Sequence, residues 1–334
     1  MRIIKPTEAI PVEHPVFLIV ALPGIGRTSL GYSFNTLLLD FDHGSHRAAN
    51  RRDTAAIDCW GDVDLSRAAL RNYSGVTIDT VERCLGMMAA ALIEESSKNG
   101  LNGTLYPKGW GVLKQRFGAT LDTLQSYELD VLLLAHAKEV RDGDLRQVRA
   151  DVPGASAGEV LKRADFVGYL SMVGGRRILD FNPTDRFIGK NPAGWPPIVV
   201  PPIAQAHSVM AELFEEGRKA LGRKSEASAR IAAAVQAWQA DIATYATADQ
   251  FTGGLAKLRA LKATDLPVYT QAHHVLAVAA KAAGMKFDAD ANAFRDTGVR
   301  PAAPALPSVE ASGGRRAATW QPQLLSTLTT ERAS

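Results

Sequence analysis

The first half of the chain alternates short apolar runs with longer stretches of helical pattern, and this alternation restricts the fold more than any other feature. The runs are rich in Val, Leu and Ile, and each is followed by polar residues or Gly. They lie at residues 16–20, 36–41, 75–78, 130–135 and 168–173. Buried parallel strands joined by crossover helices have this pattern. We therefore predict an α/β core with a doubly wound, mostly parallel sheet, which binds its ligand beyond the carboxyl ends of its strands.

A Pro-rich stretch at 191–202 marks the predicted end of this core, because its prolines cannot extend a helix or a central strand. Ala-rich sequence of helical pattern follows, and Thr247 with Gln250 has the spacing of a capping box. One predicted helix face carries Ile231, Val235, Trp238, Ile242 and Tyr245. We predict a nucleotide-binding core at 1–202, a small all-α domain at 203–298, and a flexible linker and tail at 299–334.

Composition narrows the function classes without choosing one. The 334 residues carry a net charge of +3, so any nucleic-acid binding must come from local patches rather than from a global basic field. The two cysteines, Cys59 and Cys84, have no zinc-site spacing and fit a reducing compartment. No apolar run approaches the length of a membrane helix, and the N-terminus lacks a signal-peptide pattern. We expect a cytoplasmic protein.

The segment ALPGIGRTS at 21–29 follows the first apolar run directly and precedes a predicted helix. Strand, Gly-bearing loop and helix is the context of a phosphate loop, in which backbone amides and the helix N-terminus bind phosphates. Thr28 would offer its hydroxyl to Mg²⁺. The predicted nucleotide-binding residues are Pro23, Gly24, Ile25, Gly26, Arg27, Thr28 and Ser29. A simple Pro/Gly turn between a strand and a helix is the alternative interpretation.

Two positions depart from the usual phosphate-loop pattern. Ala21 replaces the first Gly, which is a mild change between small residues. Arg27 replaces the Lys, and a planar guanidinium is bulkier and differently directed than a compact ammonium group. We therefore expect nucleotide binding with slow hydrolysis.

Polar residues end the later apolar runs. Asp40 and Asp42 end the second run, and a carboxylate there can orient and deprotonate a water molecule. Asp79 ends the third run and matches the aspartate that holds Mg²⁺ through water. His136 ends the fourth run, where a polar side chain can sense the γ-phosphate. Each residue alone also fits a structural role, but their order on successive strands favours ATP with Mg²⁺ as the ligand.

These segments together resemble the RecA-like core P-loop ATPases, and more closely the phage-encoded recombination ATPases of the Sak single-strand-annealing type. The similarity is carried by ALPGIGRTS, LLLDFDHGSHRAANRRD, VTIDT and LLLAHAKE, with RADVPGASAGEVLKRADFVGYLSM and DRFIGKN further on. It covers about residues 15–202. It implies a RecA-like core, a homo-oligomer, and single-stranded DNA and a single-strand-binding protein as candidate partners.

The resemblance also assigns roles. Asp42 falls at the water-activating acid, Asp79 at the Mg²⁺-associated aspartate, and His136 at the γ-phosphate sensor. The segment at 138–156, which contains Lys138 and three arginines, falls where such proteins contact single-stranded DNA, although a solvated hairpin of mixed charge fits it equally. A neighbouring subunit would supply a cation to the γ-phosphate. Lys190 is the first choice for that cation, ahead of Arg176, Arg177 and Arg186.

Three functions follow as alternatives. The first is an ATP-dependent recombination factor that anneals or pairs single-stranded DNA. The second is a nucleotide-gated binding module with little or no hydrolysis, which Ala21, Arg27 and Asp42 favour. The third is a small-molecule kinase, but the sequence contains no clear Arg-rich lid.

Overall fold

The computed structural model describes residues 3–12, 14–142, 145–153, 156–202 and 205–298. The predicted linker and tail at 299–334 lie outside these residues. The chain divides into two compact units, 1–237 and 238–334, and each is considered by itself. Helices within the described residues include none that is long and apolar enough to cross a membrane.

A nine-stranded sheet forms the centre of the first unit, and its strand order is β11-β10-β9-β1-β7-β4-β2-β3, with β8 paired to β7. Neighbouring strands from β9 through β3 are parallel, whereas β8, β10 and β11 pair in antiparallel fashion. The strands of this unit are β1 (Val16–Ala21), β2 (Thr36–Asp40), β3 (Thr54–Ala56), β4 (Gly75–Asp79), β5 (Gly100–Leu101), β6 (Thr104–Leu105), β7 (Asp130–Asp142), β8 (Leu145–Ala150), β9 (Phe166–Val173), β10 (Arg176–Asp180) and β11 (Ile198–Val200). The predicted mostly parallel α/β sheet is confirmed, and the five apolar runs lie in β1, β2, β4, β7 and β9.

Helices cover both faces of this sheet. They are α1 (Arg27–Gly31), α2 (Arg67–Leu70), α3 (Val81–Glu95), α4 (Pro107–Ser126), α5 (Ser156–Arg163) and α6 (Val209–Ile242). On one face, α3, α4 and α5 bury an aliphatic core that includes Leu85, Leu121 and Val160. On the other face, α1 and the start of α6 cover an aromatic core in which Phe17 stacks on Phe166. The two layers explain why the strands are apolar without alternation.

The predicted domain boundary at residue 202 differs from the contact-based division between Ala237 and Trp238. Met210 and Phe214, in the first turns of α6, are buried in the aromatic core of the first unit. The Pro-rich stretch does end the sheet, because its last strand, β11, lies at the sheet edge. The helix that follows nevertheless completes the core, since a sheet face needs a covering layer.

The second unit contains α7 (Ala248–Leu261), α8 (Leu266–Ala282) and the strands β12 (Met285–Asp288) and β13 (Ala293–Asp296). The capping box at the start of α7 is present, and in it the backbone N–H of Gln250 donates to the Thr247 hydroxyl at 3.3 Å. The helical prediction is confirmed, but the β12–β13 hairpin was not expected. Its strands are only four residues long, and they are held by the packing of Met285 and Phe294 against the helices, which no local pattern shows.

Candidate phosphate-binding site

The loop between β1 and α1 has the backbone that a phosphate loop needs. Gly24 and Gly26 have φ angles of 81° and 93°, in the left-handed region that side chains disfavour. Arg177 on β10 donates from its Nε to the Ile25 carbonyl oxygen at 2.7 Å, which fixes the loop from outside. The Ile25 side chain packs into the aromatic core, so this predicted binding residue contributes backbone rather than side chain.

Arg27 lies on the floor of the site and is only 8 % exposed. Its Nη2 atom is 3.3 Å from Asp79 Oδ1 and 3.2 Å from His136 Nε2. The Nε and Nη1 atoms are buried and have no hydrogen-bond partner among the described residues. Buried donors are nearly always paired, so three N–H groups of this guanidinium are available to an anion in the site.

Thr28 and Asp79 come together where Mg²⁺ was predicted. The Thr28 hydroxyl donates to Asp79 Oδ2 at 2.6 Å, and burial raises the pKa of the Asp79 carboxyl even though Arg27 and Thr28 act in the opposite direction. A hydroxyl and a carboxylate at a phosphate site fit Mg²⁺, which prefers oxygen ligands. No group of three or more His, Cys, Asp or Glu side chains in the described part of the chain could hold a metal alone, so a Mg²⁺ ion here would also need oxygen ligands from phosphate or water.

The two acids at the end of β2 have different roles. Asp40 is buried and accepts from the amides of Gly44 and Ser45 at 3.1 and 2.9 Å, so it shapes the turn. Asp42 lies beside the cavity, with its Oδ1 atom 3.4 Å from Arg83 Nε and its Oδ2 atom 3.9 Å from His136 Nε2. Of the two, Asp42 is therefore the one placed to meet a water molecule at the phosphates.

His136 is held by a residue that the sequence interpretation missed. Glu82, in the first turn of α3, bonds to His136 Nδ1 and also accepts from the His136 amide at 3.2 Å. Burial acts to raise the pKa of Glu82, but the hydrogen bond with His136, a bond from its own backbone amide and smaller contributions together outweigh burial, and the pKa is lowered. Glu82 thus orients the imidazole so that its other nitrogen faces Arg27. The only sequence signal was a carboxylate in the first turn of a helix.

A cavity of about 290 Å³ collects these groups at the carboxyl edge of the sheet. Its lining contains the predicted residues Pro23, Gly24, Gly26, Arg27, Thr28, Ser29, Asp42, Asp79 and His136. It also contains Arg47, which the sequence interpretation did not select. Arg47 ends the short turn that Asp40 organises, so it adds a second cation to the phosphate site.

Lys190 is engaged elsewhere. Its Nζ atom donates to the carbonyl oxygens of Leu161 and Ala164, at the end of α5, and the Ala164 contact is 2.8 Å long. A cation at a helix C-terminus is stabilised by the free carbonyls and the helix dipole. These bonds hold the ammonium group within its own subunit, which argues against the predicted role on a neighbour's γ-phosphate. Arg177 is likewise committed to the phosphate loop of its own chain, whereas Arg176 and Arg186 are exposed.

The segment predicted to meet DNA is a two-stranded hairpin. β7 pairs with the sheet as far as His136 and from Ala137 pairs with β8. In this register Lys138 lies opposite Arg149, and Arg141 lies opposite Arg146. Like charges at directly opposite positions destabilise a strand pair. The hairpin therefore holds two pairs of opposed cations, although Lys138 also lies 3.3 Å from the Asp151 carboxylate.

The similarity of this chain to known proteins lies at the level of a domain family. No curated protein matches the chain. One similar solved structure is the crystal structure of the RadB recombinase, which is 12% identical, with a TM-score of 0.29 over 51% of this chain and 80% of that one. A family model described as an AAA domain matches residues 13–193. Because this match spans more than half of the chain and contains the whole phosphate-binding edge of the sheet, we conclude that the protein belongs to the AAA domain family.

Proposed function

We propose that the protein is an ATP-binding recombination factor of the RecA-like type that acts on single-stranded DNA. The nucleotide half of the proposal rests on one observation. The buried Nε and Nη1 atoms of Arg27, which lines the cavity beside the phosphate loop, have no hydrogen-bond acceptor among the described residues. A phosphate suits a glycine-bearing loop between a strand and a helix that has a buried cation at its end.

Six of the chain's own residues would divide the work of ATP hydrolysis. Thr28 and Asp79 would hold Mg²⁺, which neutralises phosphate charge when it is bound with the nucleotide. Asp42 would accept a proton from the attacking water, and Glu82 would keep His136 oriented toward the phosphates. The Arg27 guanidinium would stabilise charge on the phosphate oxygens.

The DNA half of the proposal rests on β7. Because His136 and Lys138 are two residues apart on one strand, a ligand that moves His136 acts directly on the base of the hairpin. The opposed cations of the hairpin would be relieved by a phosphate backbone. Annealing or strand pairing, assembly into oligomers and cooperation with a single-strand-binding protein in the cytoplasm belong to this proposal, as does a phage origin of the Sak type.

A second function is a nucleotide-gated module with little hydrolysis. It is favoured by the Arg27–Asp79 contact, which occupies a carboxylate that hydrolysis needs, and by the contact of Asp42 with Arg83. In this case ATP would set the conformation of the hairpin without being turned over.

An ATPase assay with and without single-stranded DNA, on the wild type and on Arg27→Lys, separates the two functions. The recombination factor should hydrolyse ATP slowly and faster with DNA, and Arg27→Lys should raise the rate because an ammonium group leaves Asp79 free. A wild type that binds ATP but does not hydrolyse it points to the gated module. If neither ATP nor a slowly hydrolysed analogue changes DNA binding or assembly, both functions are wrong.

A further inference from the structure

The nitrogen atoms of the Arg27 guanidinium have two different surroundings. Its Nη2 atom contacts Asp79 Oδ1 and His136 Nε2, while its Nε and Nη1 atoms are unpartnered among the described residues. The side chain is more than nine-tenths buried and forms part of the cavity lining. One side is therefore bound to a carboxylate, and the other offers donors to a ligand.

Both oxygens of the Asp79 carboxylate are already in use. Oδ1 faces Arg27 Nη2, and Oδ2 accepts from the Thr28 hydroxyl at 2.6 Å. In an ordinary phosphate-loop site, a divalent cation links such a carboxylate, through water, to the nucleotide phosphates. Here a fixed positive charge already stands against the carboxylate, on the floor of the cavity that the phosphates would enter.

An arginine is better suited to this link than a lysine. The guanidinium carries five donors in a rigid planar fork, so one edge can hold a carboxylate while another holds a phosphate. An ammonium group is a compact point charge at the end of a flexible chain. At this position one small group would have to serve both Asp79 and the phosphates, so a second cation would contribute more to phosphate binding than it does beside arginine.

We propose that Arg27 bridges Asp79 to the nucleotide phosphates directly, so that the protein binds a nucleoside triphosphate without requiring a divalent cation. This inference rests on the nucleotide binding proposed above and makes Arg27 a residue that determines the metal requirement. It concerns binding alone. The function of having arginine rather than lysine at this position would then be to make nucleotide binding independent of a divalent cation.

The test is the affinity of a fluorescent, slowly hydrolysed ATP analogue, measured with Mg²⁺ and again with EDTA. Removing Mg²⁺ should weaken binding to the wild type by less than about 3-fold, because the guanidinium supplies the missing link. The same change should weaken binding to Arg27→Lys by more than about 10-fold, because phosphate contacts then depend on the metal.

Arg47→Gln is the matched control, since it removes a cavity cation that has no contact with Asp79 among the described residues. It should lower affinity by a similar factor with Mg²⁺ and with EDTA. Thermal unfolding of each variant checks that it is folded. Should Arg27→Lys not fold, the wild type still decides, because a loss of more than about 10-fold with EDTA overturns the inference.

Two outcomes contradict different claims. If the wild type and Arg27→Lys both bind tightly with Mg²⁺ and lose affinity by the same factor with EDTA, the bridge is wrong and nucleotide binding stands. If the wild type binds no analogue under either condition, the proposed nucleotide function fails, and the bridge fails with it.

Discussion

Strand β7 contributes residues to two regions, the cavity and the β7–β8 hairpin, and charged side chains are arranged differently in the two. At the edge of the sheet, the cavity pairs Arg27 with the opposite charge of Asp79, and Glu82 is hydrogen-bonded to His136. A few residues further on, the hairpin sets Lys138 opposite Arg149 and Arg141 opposite Arg146. In the cavity, Arg27 is paired with a buried carboxylate before any ligand arrives, whereas in the hairpin Lys138 alone of these cations has a carboxylate neighbour among the described residues, the exposed Asp151.

This difference separates two kinds of recognition. Buried and paired groups select a ligand by shape and by the direction of their hydrogen bonds, and salt screens them weakly. Exposed cations on a hairpin select only for negative charge, and their attraction to a polyanion falls steeply as salt rises. The cavity should therefore be specific and insensitive to salt, whereas the hairpin should be unspecific and sensitive to it.

The largest expected effect is a loss of ATP turnover after a change in the cavity alone. Asp42→Asn should lower ATP turnover by about 100-fold, because the amide cannot accept a proton from water. Nucleotide affinity should change by less than about 3-fold, since Arg27 and the loop amides remain. The measurements are steady-state hydrolysis and equilibrium binding of the same nucleotide.

Asp58→Asn is the control for this change, because Asp58 is an exposed carboxylate that contacts His43 outside the cavity. It should leave both quantities as in the wild type. Full activity of Asp42→Asn would remove Asp42 from the mechanism and leave the water-activating group unassigned.

A smaller effect is expected when the hairpin loses its charge. Replacing Arg141 and Arg146 together by Ala should weaken binding to single-stranded DNA by about 10-fold at moderate salt. The slope of log affinity against log salt should become shallower by about 1.4, or about 0.7 for each lost phosphate contact. A salt titration followed by fluorescence anisotropy measures both quantities.

The exposed cations Arg71 and Lys108, replaced together by Ala, provide a control of equal charge. That variant should retain the wild-type slope. Nucleotide affinity measured without DNA should not change in either double variant. A hairpin variant with an unchanged salt slope would show that DNA is bound elsewhere.

The smallest expected effect is on the free energy of unfolding, and it comes from the Glu82–His136 pair. The pKa of Glu82 is lowered in the folded protein, so its ionised form stabilises the fold above the ordinary carboxyl pKa, and this contribution is lost as pH falls below that value. Glu82→Gln should therefore reduce stability by about 1 to 2 kcal/mol at neutral pH, and the difference should shrink on acidification through the carboxyl range. Thermal unfolding across this pH range measures it.

Glu94→Gln, an exposed change on the same helix, should alter stability little at any pH. A stability difference for Glu82→Gln that stays constant with pH would mean that the side chain packs without carrying charge.

Much of the first unit was predictable because its signals are local. Each parallel strand is a continuous apolar run, and the polar residue that ends it must appear at one edge of the sheet, which is why Asp42, Asp79 and His136 meet. The family resemblance chose Asp42 over Asp40, but the strand pattern alone could not, because their difference depends on which of them the amides of the next turn approach.

The remaining features depend on contacts between distant segments. Glu82 reaches His136 and Arg177 reaches Ile25 across the sheet, and no spacing in the chain reveals either pair. No spacing in the chain reveals that the Lys190 ammonium group donates to the Ala164 carbonyl oxygen after the end of α5. The packing of the start of α6 in the core of the first unit is likewise hidden, because the composition already changes before residue 209.

The bond from Arg177 to the Ile25 carbonyl bears on how fast a nucleotide can bind. A planar trans peptide that turns its carbonyl toward β10 must turn the following amide, that of Gly26, the opposite way. The loop is therefore set in its orientation by the folded sheet before any phosphate arrives. The protein then loses little conformational entropy when the nucleotide binds. The nucleotide should therefore associate without waiting for the loop to rearrange.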